Sequence, residues 1–275
     1  LFIVSRISGG ISTRKDLVCF NGAVTTPNKS VNDCAPQSPH GRTMAIIQSG
    51  YLPWKGYFDI IHDVDVFVFL DDVQFTLRDW RTRNILKTQH GCEWLTIPTG
   101  SHRDLCIDEV RLSDDHWQAR HWATLRHTYG KAHFFAQYRP FFEDLYLGRT
   151  WTSLSELNQH VIRTIAKDLL GLQTEFLDAR PLGTQGRKTP RLLQILKKCG
   201  ADVYITGPTT RCYLDVDLLA KEGIQSIFKD FEGFPEYPQA YPPFEHKVSV
   251  VDLLFNVGPA APEFIWGWRS RKETP

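Results

Sequence analysis

The sequence predicts an α/β protein: a mainly parallel sheet with flanking helices and a helical, aromatic-rich insertion or subdomain. From Met44 onward, short apolar runs alternate with helix-patterned segments, the order of a parallel sheet covered by helices. Residues 66–70 form an unbroken β-branched and aromatic run, suited to a strand buried on both faces. Residues 113–171 are helical in pattern and rich in aromatic side chains, long enough to cap one end of the sheet.

The first 43 residues are rich in Ser, Thr, Asn, Gly and Pro and lack a hydrophobic period, so they are expected to be disordered. Arg6, Arg14, Lys15, Lys29 and Arg42 outnumber Asp16 and Asp33 there, whereas the body is slightly acidic. Met44, the sole methionine, directly precedes the first strand and is expected to be the natural start. The rival is a basic extension that contacts a partner. The folded body is expected over 44–259, with a tail over 260–275.

The elements follow in order. A first strand is predicted at 45–48 and a second convincing one at 66–70; residues 94–97 form another, closed by Pro98. Ser153 and Glu156 have capping-box spacing, and Leu154, Leu157, Val161, Ile165 and Leu169 repeat at helical intervals until Gly171. After a strand at 175–177, Thr189 is predicted to cap a helix with Pro190 at its first position, ending at Gly200. A strand at 203–206, a helix near 217–222, a strand at 225–228 and a helix capped by Ser249 complete the reading.

Composition excludes several classes of function. With 42% hydrophobic and 23% charged residues the chain has ample core-forming surface, so wholesale disorder is excluded. The net charge of +1 comes with no block of basic residues, which argues against nucleic acid as a partner. No apolar run is long enough to span a bilayer, and the opening residues lack a secretory pattern, so a cytoplasmic protein is expected. Six scattered cysteines have no C-x-x-C pair, and the histidines form no H-E-x-x-H motif. Phosphate-loop, dinucleotide and G-x-S-x-G fingerprints are missing too.

Candidate chemistry collects at strand ends, where open α/β sheets place ligand groups. Asp71, Asp72 and Gln74 follow the strand at 66–70; paired carboxylates can hold a divalent ion or act as a general base. The rival is one carboxylate that caps a turn and one that is solvated. Arg78, Trp80, Arg83 and Asn84 follow, combining guanidinium forks with an aromatic face for phosphate, carboxylate or sugar. An ordinary surface loop with ion pairs is the alternative. Gln48, Tyr51, Trp54 and Lys55 belong to a shaped loop after the first strand, either a pocket wall or a packed turn. Gly207, Pro208 and Arg211 leave another strand end, and Lys188 with Thr189 opens a helix, two further weak anion-binding signals.

The segments IIQSGYLPWKGYFDII, FVFLDDVQFTLRDWRTRN, WLTIP, GRKTPRLL, GADVYITGPTTRCYLD and YPQAYPPFEHKVSVVDLLFNVGP resemble, in this order, the WbqC-like family. Nothing before Met44 has a counterpart in that pattern. The resemblance implies a bacterial protein of surface-polysaccharide (O-antigen) biosynthesis, with transfer of glycine or another acyl group to an amino sugar suggested. It assigns no catalytic residues. The chain departs from the family at Ser49-Gly50, where Pro-Asn or Ser-Asn is usual, so an asparagine amide is missing there.

The leading expectation is acyl or aminoacyl transfer to a nucleotide-linked amino sugar. Asp71 or Asp72 would accept the amine proton, Arg78 and Arg83 would bind phosphate or carboxylate, and Trp80 would stack. The alternatives are a nucleotidyl-transfer or adenylate-forming enzyme, with the aspartate pair on magnesium, and a non-catalytic module that binds a nucleotide-sugar. All three expect Gln48, Asp71, Asp72, Arg83 and Gly207 to line one cleft around a small molecule. The sequence indicates no particular cofactor or oligomeric state.

Overall fold

A computed structural model describes residues 41–272, apart from 101, 103, 113 and 115. The segment expected to be disordered therefore lies outside the described residues up to residue 40.

Five short strands form the main sheet: β1 (Thr43–Ile47), β2 (Val66–Phe69), β5 (Glu175–Asp178), β6 (Val203–Thr206) and β7 (Gln225–Phe228). They lie in the order β5-β2-β1-β6-β7, every pair parallel. Successive side chains of a strand point to opposite faces, and the sequence uses both. Met44, Ile46, Val66, Val68 and Tyr204 pack with Leu192, Ile195 and Leu196 of α5 (Lys188–Lys198) and Leu219 of α6 (Val216–Lys221). Ala45, Phe67, Phe69, Val203 and Ile205 face a larger core on the other side.

That larger core is built by the expected helical region, here α2 (His116–Tyr129), α3 (Phe135–Glu143) and α4 (Leu154–Thr164), together with α1 (Lys55–His62) and α7 (Val250–Val257). Ser153 caps α4 by accepting from the Glu156 amide at 3.4 Å, and a π-helical turn, Ile165–Leu169, carries it to Gly171. Ser249 caps α7 in the same way, accepting from the Val251 amide at 3.3 Å. Proline 190 lies inside α5 rather than at its first position, because the helix already begins at Lys188; Thr189 bonds elsewhere.

Three boundaries differ from expectation. Thr43 is already in β1, and the Arg42 carbonyl accepts from the Val203 amide at 3.1 Å, so the sheet begins ahead of Met44. Residues 83–88, for which no element was expected, form β3 (Arg83–Thr88), which pairs antiparallel with β4 (Gly91–Thr96) in a separate hairpin. Beyond Pro259, where a tail was expected, a 3-10 segment (Gly258–Phe264) and α8 (Gly267–Lys272) continue the fold. Ala261 and Ile265 are fully buried, and Arg269 donates to Asp59 Oδ1 at 2.7 Å and Asp63 Oδ2 at 2.9 Å.

The connections run β1 to β2 to β5 on one side of β1, and β6 to β7 on the other. Strand order thus reverses between β1 and β6, where the loops after the two strands leave in opposite directions and open a crevice.

Candidate functional site

That crevice is a hollow of about 490 Å³ at the carboxyl ends of β1 and β6. One wall is the loop after β1, with Gln48, Ser49, Gly50, Pro53 and Trp54; the other is Thr206 to Thr210 with Tyr213. Trp80, Arg81 and Asn84 close one end, and Phe231 and Lys247 contribute from later loops. A second hollow of about 660 Å³ lies between the β3–β4 turn and α2. None of the buried, unpartnered polar atoms among the described residues belongs to its lining, whereas two belong to the crevice.

Buried hydrogen bonds hold the β1 loop from below. Asp71 Oδ1 accepts from the Ser49 amide at 2.8 Å, and its Oδ2 accepts from Ser155 Oγ at 2.5 Å and Gln159 Nε2 at 3.1 Å. Asn84 Nδ2 donates to the carbonyls of Tyr51 (3.2 Å) and Leu52 (2.9 Å), and Ser249 Oγ donates to the latter at 2.8 Å. Close approach explains two glycines. A Cβ at Gly56 would stand 2.3 Å from the Trp54 ring, and one at Gly50 would stand 3.2 Å from the Trp80 carbonyl oxygen.

The lining is aromatic and hydroxylic, with two cationic side chains. Arg81 bonds Asp79 Oδ2 at 3.2 Å, but its Nε is buried without a partner. Ser49 Oγ is likewise buried and unpartnered. Buried polar groups without partners are rare, each costing about 1–3 kcal/mol, and they mark a place suited to a bound polar group. Burial raises the Tyr57 phenol well above its usual range and the Asp71 charge raises it further, against the pull of Arg81. Tyr57 stays a neutral donor, bonded to the Gln48 carbonyl at 3.0 Å. Burial also raises the Tyr213 phenol, again against Arg81. Among the described lining residues there is no carboxylate, imidazole or thiol.

Of the side chains expected to converge, Gln48, Trp54, Trp80, Asn84, Gly207 and Pro208 line the crevice. Arg83 stands just outside, its guanidinium 4.1 Å from the Trp94 ring centre. The others do not belong to the lining, for identifiable reasons. Asp71 is 0% exposed with both oxygens engaged, and it braces the β1 loop. Asp72 pairs with the Arg191 guanidinium, which also donates to its carbonyl at 3.3 Å. Gln74 is exposed and bridges to Cys106 through the backbone. The Tyr51 hydroxyl turns into the core, bonded to His121 Nδ1 at 2.8 Å and to the Tyr146 hydroxyl.

Lys55 is buried behind the Trp54 wall, its ammonium 4.8 Å from the Phe234 ring centre and 5.3 Å from that of Tyr237. Desolvation lowers its pKa to about 8 although Asp252 pulls the other way. Arg78 and Lys188 are exposed, both with left-handed backbone (φ 55° and 52°). Thr189 Oγ1 accepts from the Asp215 amide at 2.9 Å, and Arg211 is exposed with its guanidinium 4.3 Å from the Phe228 ring centre. No group of three His, Cys, Asp or Glu among the described residues can hold a metal ion. Asp71 and Asp72, on which magnesium was expected, bond instead to Ser49, Ser155 and Gln159 and to Arg191.

Phe231 and Lys247, neither of them a candidate in the sequence, reach the crevice from loops with no strand or helix signal. Arg81 figures in the sequence only within its run; the arginine turned into the crevice is this one, between the candidates Arg78 and Arg83. The family model for the WbqC-like protein family matches residues 48–264, which take in every lining residue except Ile46, Ile47. The chain belongs to the WbqC-like family. A Mycobacterium tuberculosis relative bearing the name "Uncharacterized protein Rv1507c" is 36% identical over 227 residues, covering 82% of this chain and 97% of the relative. No solved structure matches. No helix among the described residues of this WbqC-like protein is long and apolar enough to cross a membrane.

Proposed function

We propose that this WbqC-like protein binds a nucleotide-linked sugar in the crevice between β1 and β6 and serves bacterial surface-polysaccharide biosynthesis through acyl or aminoacyl transfer to the sugar amine. The observation that supports it most is the pair of buried, unpartnered donors, Arg81 Nε and Ser49 Oγ, at a strand-order reversal lined by aromatic rings. A diphosphate would pair with the Arg81 guanidinium and Lys247, while Trp54, Tyr213 and Phe231 offer faces for a base or sugar.

In transfer, the amine attacks the carbonyl carbon of an activated acyl donor and a C–N bond forms. The donor's leaving group departs with its electron pair, and the ammonium proton passes to solvent. Holding the two reactants in line is then the main contribution of this lining. The missing carboxylate, imidazole and thiol favour a second reading, a binding module without chemistry of its own.

Calorimetric titration with UDP-, dTDP- and GDP-linked sugars tests binding, and mass spectrometry with amino-sugar nucleotides and acyl donors tests transfer. Binding of one nucleotide class, lost on Arg81→Ala at unchanged melting temperature, is the expected result. Binding without an acylated product selects the module. A wild-type protein that binds none of the panel rejects both.

A further inference from the structure

We infer that Trp80, Trp94 and Arg83 form a subsite outside the crevice for the sugar ring of the ligand, and that this subsite selects a sugar carrying a carboxylate. The inference rests on the nucleotide-sugar reading above and names its substrate class. Trp80 and Trp94 are 51% and 48% exposed, their ring centres 5.5 Å apart and their planes inclined by 41°. Single exposed aromatic residues are common, but two that meet in an open angle make a platform. Trp80 also lines the crevice, so the platform is continuous with it. A pyranose ring presents a face of C–H groups, and an indole is a large flat apolar surface on which such a face packs.

Charge decides which pyranose. The Arg83 guanidinium lies 4.1 Å from the Trp94 ring centre, its Nε buried and without a partner. Arg180 and Arg191 bond Asp178 and Asp72, and Arg81 bonds Asp79; the Arg83 guanidinium has no hydrogen-bond or ion-pair partner among the described residues. A guanidinium stacked on a ring keeps its N–H fork directed outward, the geometry that receives a carboxylate through two parallel hydrogen bonds. A uronic acid on the Trp80–Trp94 platform would supply that carboxylate, while its diphosphate reaches Arg81.

The test titrates UDP, UDP-glucose, UDP-glucuronate and methyl glucuronide against the full chain and its Trp94→Ala and Arg83→Gln variants, by calorimetry and tryptophan fluorescence. UDP should bind all three proteins alike. UDP-glucuronate should bind wild type about tenfold more tightly than UDP-glucose, a margin that Arg83→Gln removes. Trp94→Ala should remove the gain that glucose adds to UDP. Equal affinity of wild type for the two sugars, or a margin that survives Arg83→Gln, overturns the subsite. So does an equal weakening of UDP itself by Trp94→Ala, which would place the base on the platform. If UDP fails to bind while methyl glucuronide still quenches wild-type fluorescence but not that of Trp94→Ala, the crevice reading falls and the subsite stands. If neither ligand registers, the subsite is rejected.

Discussion

Asp71 receives hydrogen bonds from the β1 loop and from two side chains of α4, and that dictates the effect of replacing it. Asn has the same shape but turns an NH₂ group toward existing donors, so Asp71→Asn should lose about 2–3 kcal/mol, several degrees of melting temperature. Asp72, 25% exposed and paired only with Arg191, should lose clearly less on the same change. Equal melting of both variants and wild type would contradict the brace. At Arg81 the guanidinium shape matters as well as its charge, so Arg81→Lys should still weaken nucleotide binding about tenfold or more by titration. The sequence placed functional groups in the right run, 78–84, but not the right arginine. Which one faces the crevice depends on Asp79 gripping Arg81 and on β3 beginning at Arg83, and both are set by tertiary pairing.

At the scale of elements, a buried chain of polar groups ties the β1 loop to α2 and the hairpin. Tyr146 donates to Tyr51, Tyr51 donates to His121 Nδ1, and His121 Nε2 donates to the Thr96 carbonyl at 3.0 Å. Burial lowers the His121 pKa from 6.5 to about 4, against the hydrogen bond to Thr96. The unfolded chain therefore binds a proton at this site before the folded one does. The stabilisation is present above pH 6.5 and falls away toward pH 4, by about 3 kcal/mol at most. Urea unfolding across that window should show His121→Gln with a flatter pH dependence than wild type; parallel curves would contradict it. The main-sheet strands were legible because each is a short apolar run between turn residues. β3 was not, because Asn84, Lys87 and Thr88 are buried polar residues that hide its alternation. Caps at Ser153 and Ser249 were legible because capping acts through neighbours in sequence.

For the molecule as a whole, the chain end closes back on its beginning. Arg269 and Lys229 share Asp59 and Asp63, and Asp59 is only 3% exposed. Burial raises the Asp59 pKa against both cations, while hydrogen bonds from His62, Arg269 and Lys229 outweigh burial at Asp63 and hold it well below the usual carboxylate range. Removing one partner of a buried set leaves charge uncompensated, so Arg269→Ala should cost about 2 kcal/mol, visible as a lower melting temperature. An unchanged melt would mean that α8 merely rests on the surface. The fold was expected to end at Pro259, where the segments that resemble the family stop; beyond it Pro, Ala and Gly offer no period, and the contacts that order the segment lie some 200 residues away. The rule for strand ends did locate loops of the right kind, but only the sheet order shows which two face each other. β1 and β6 share a register of just two residue pairs, Thr43 with Val203 and Met44 with Tyr204, against four between β1 and β2. The paired seam thus stops near the amino ends of the two strands, short of the crevice, and a guest touching Ser49 and Thr209 would stitch the carboxyl ends together. Amide exchange along β6 should slow when the crevice fills, while β5 at the far edge keeps its rate.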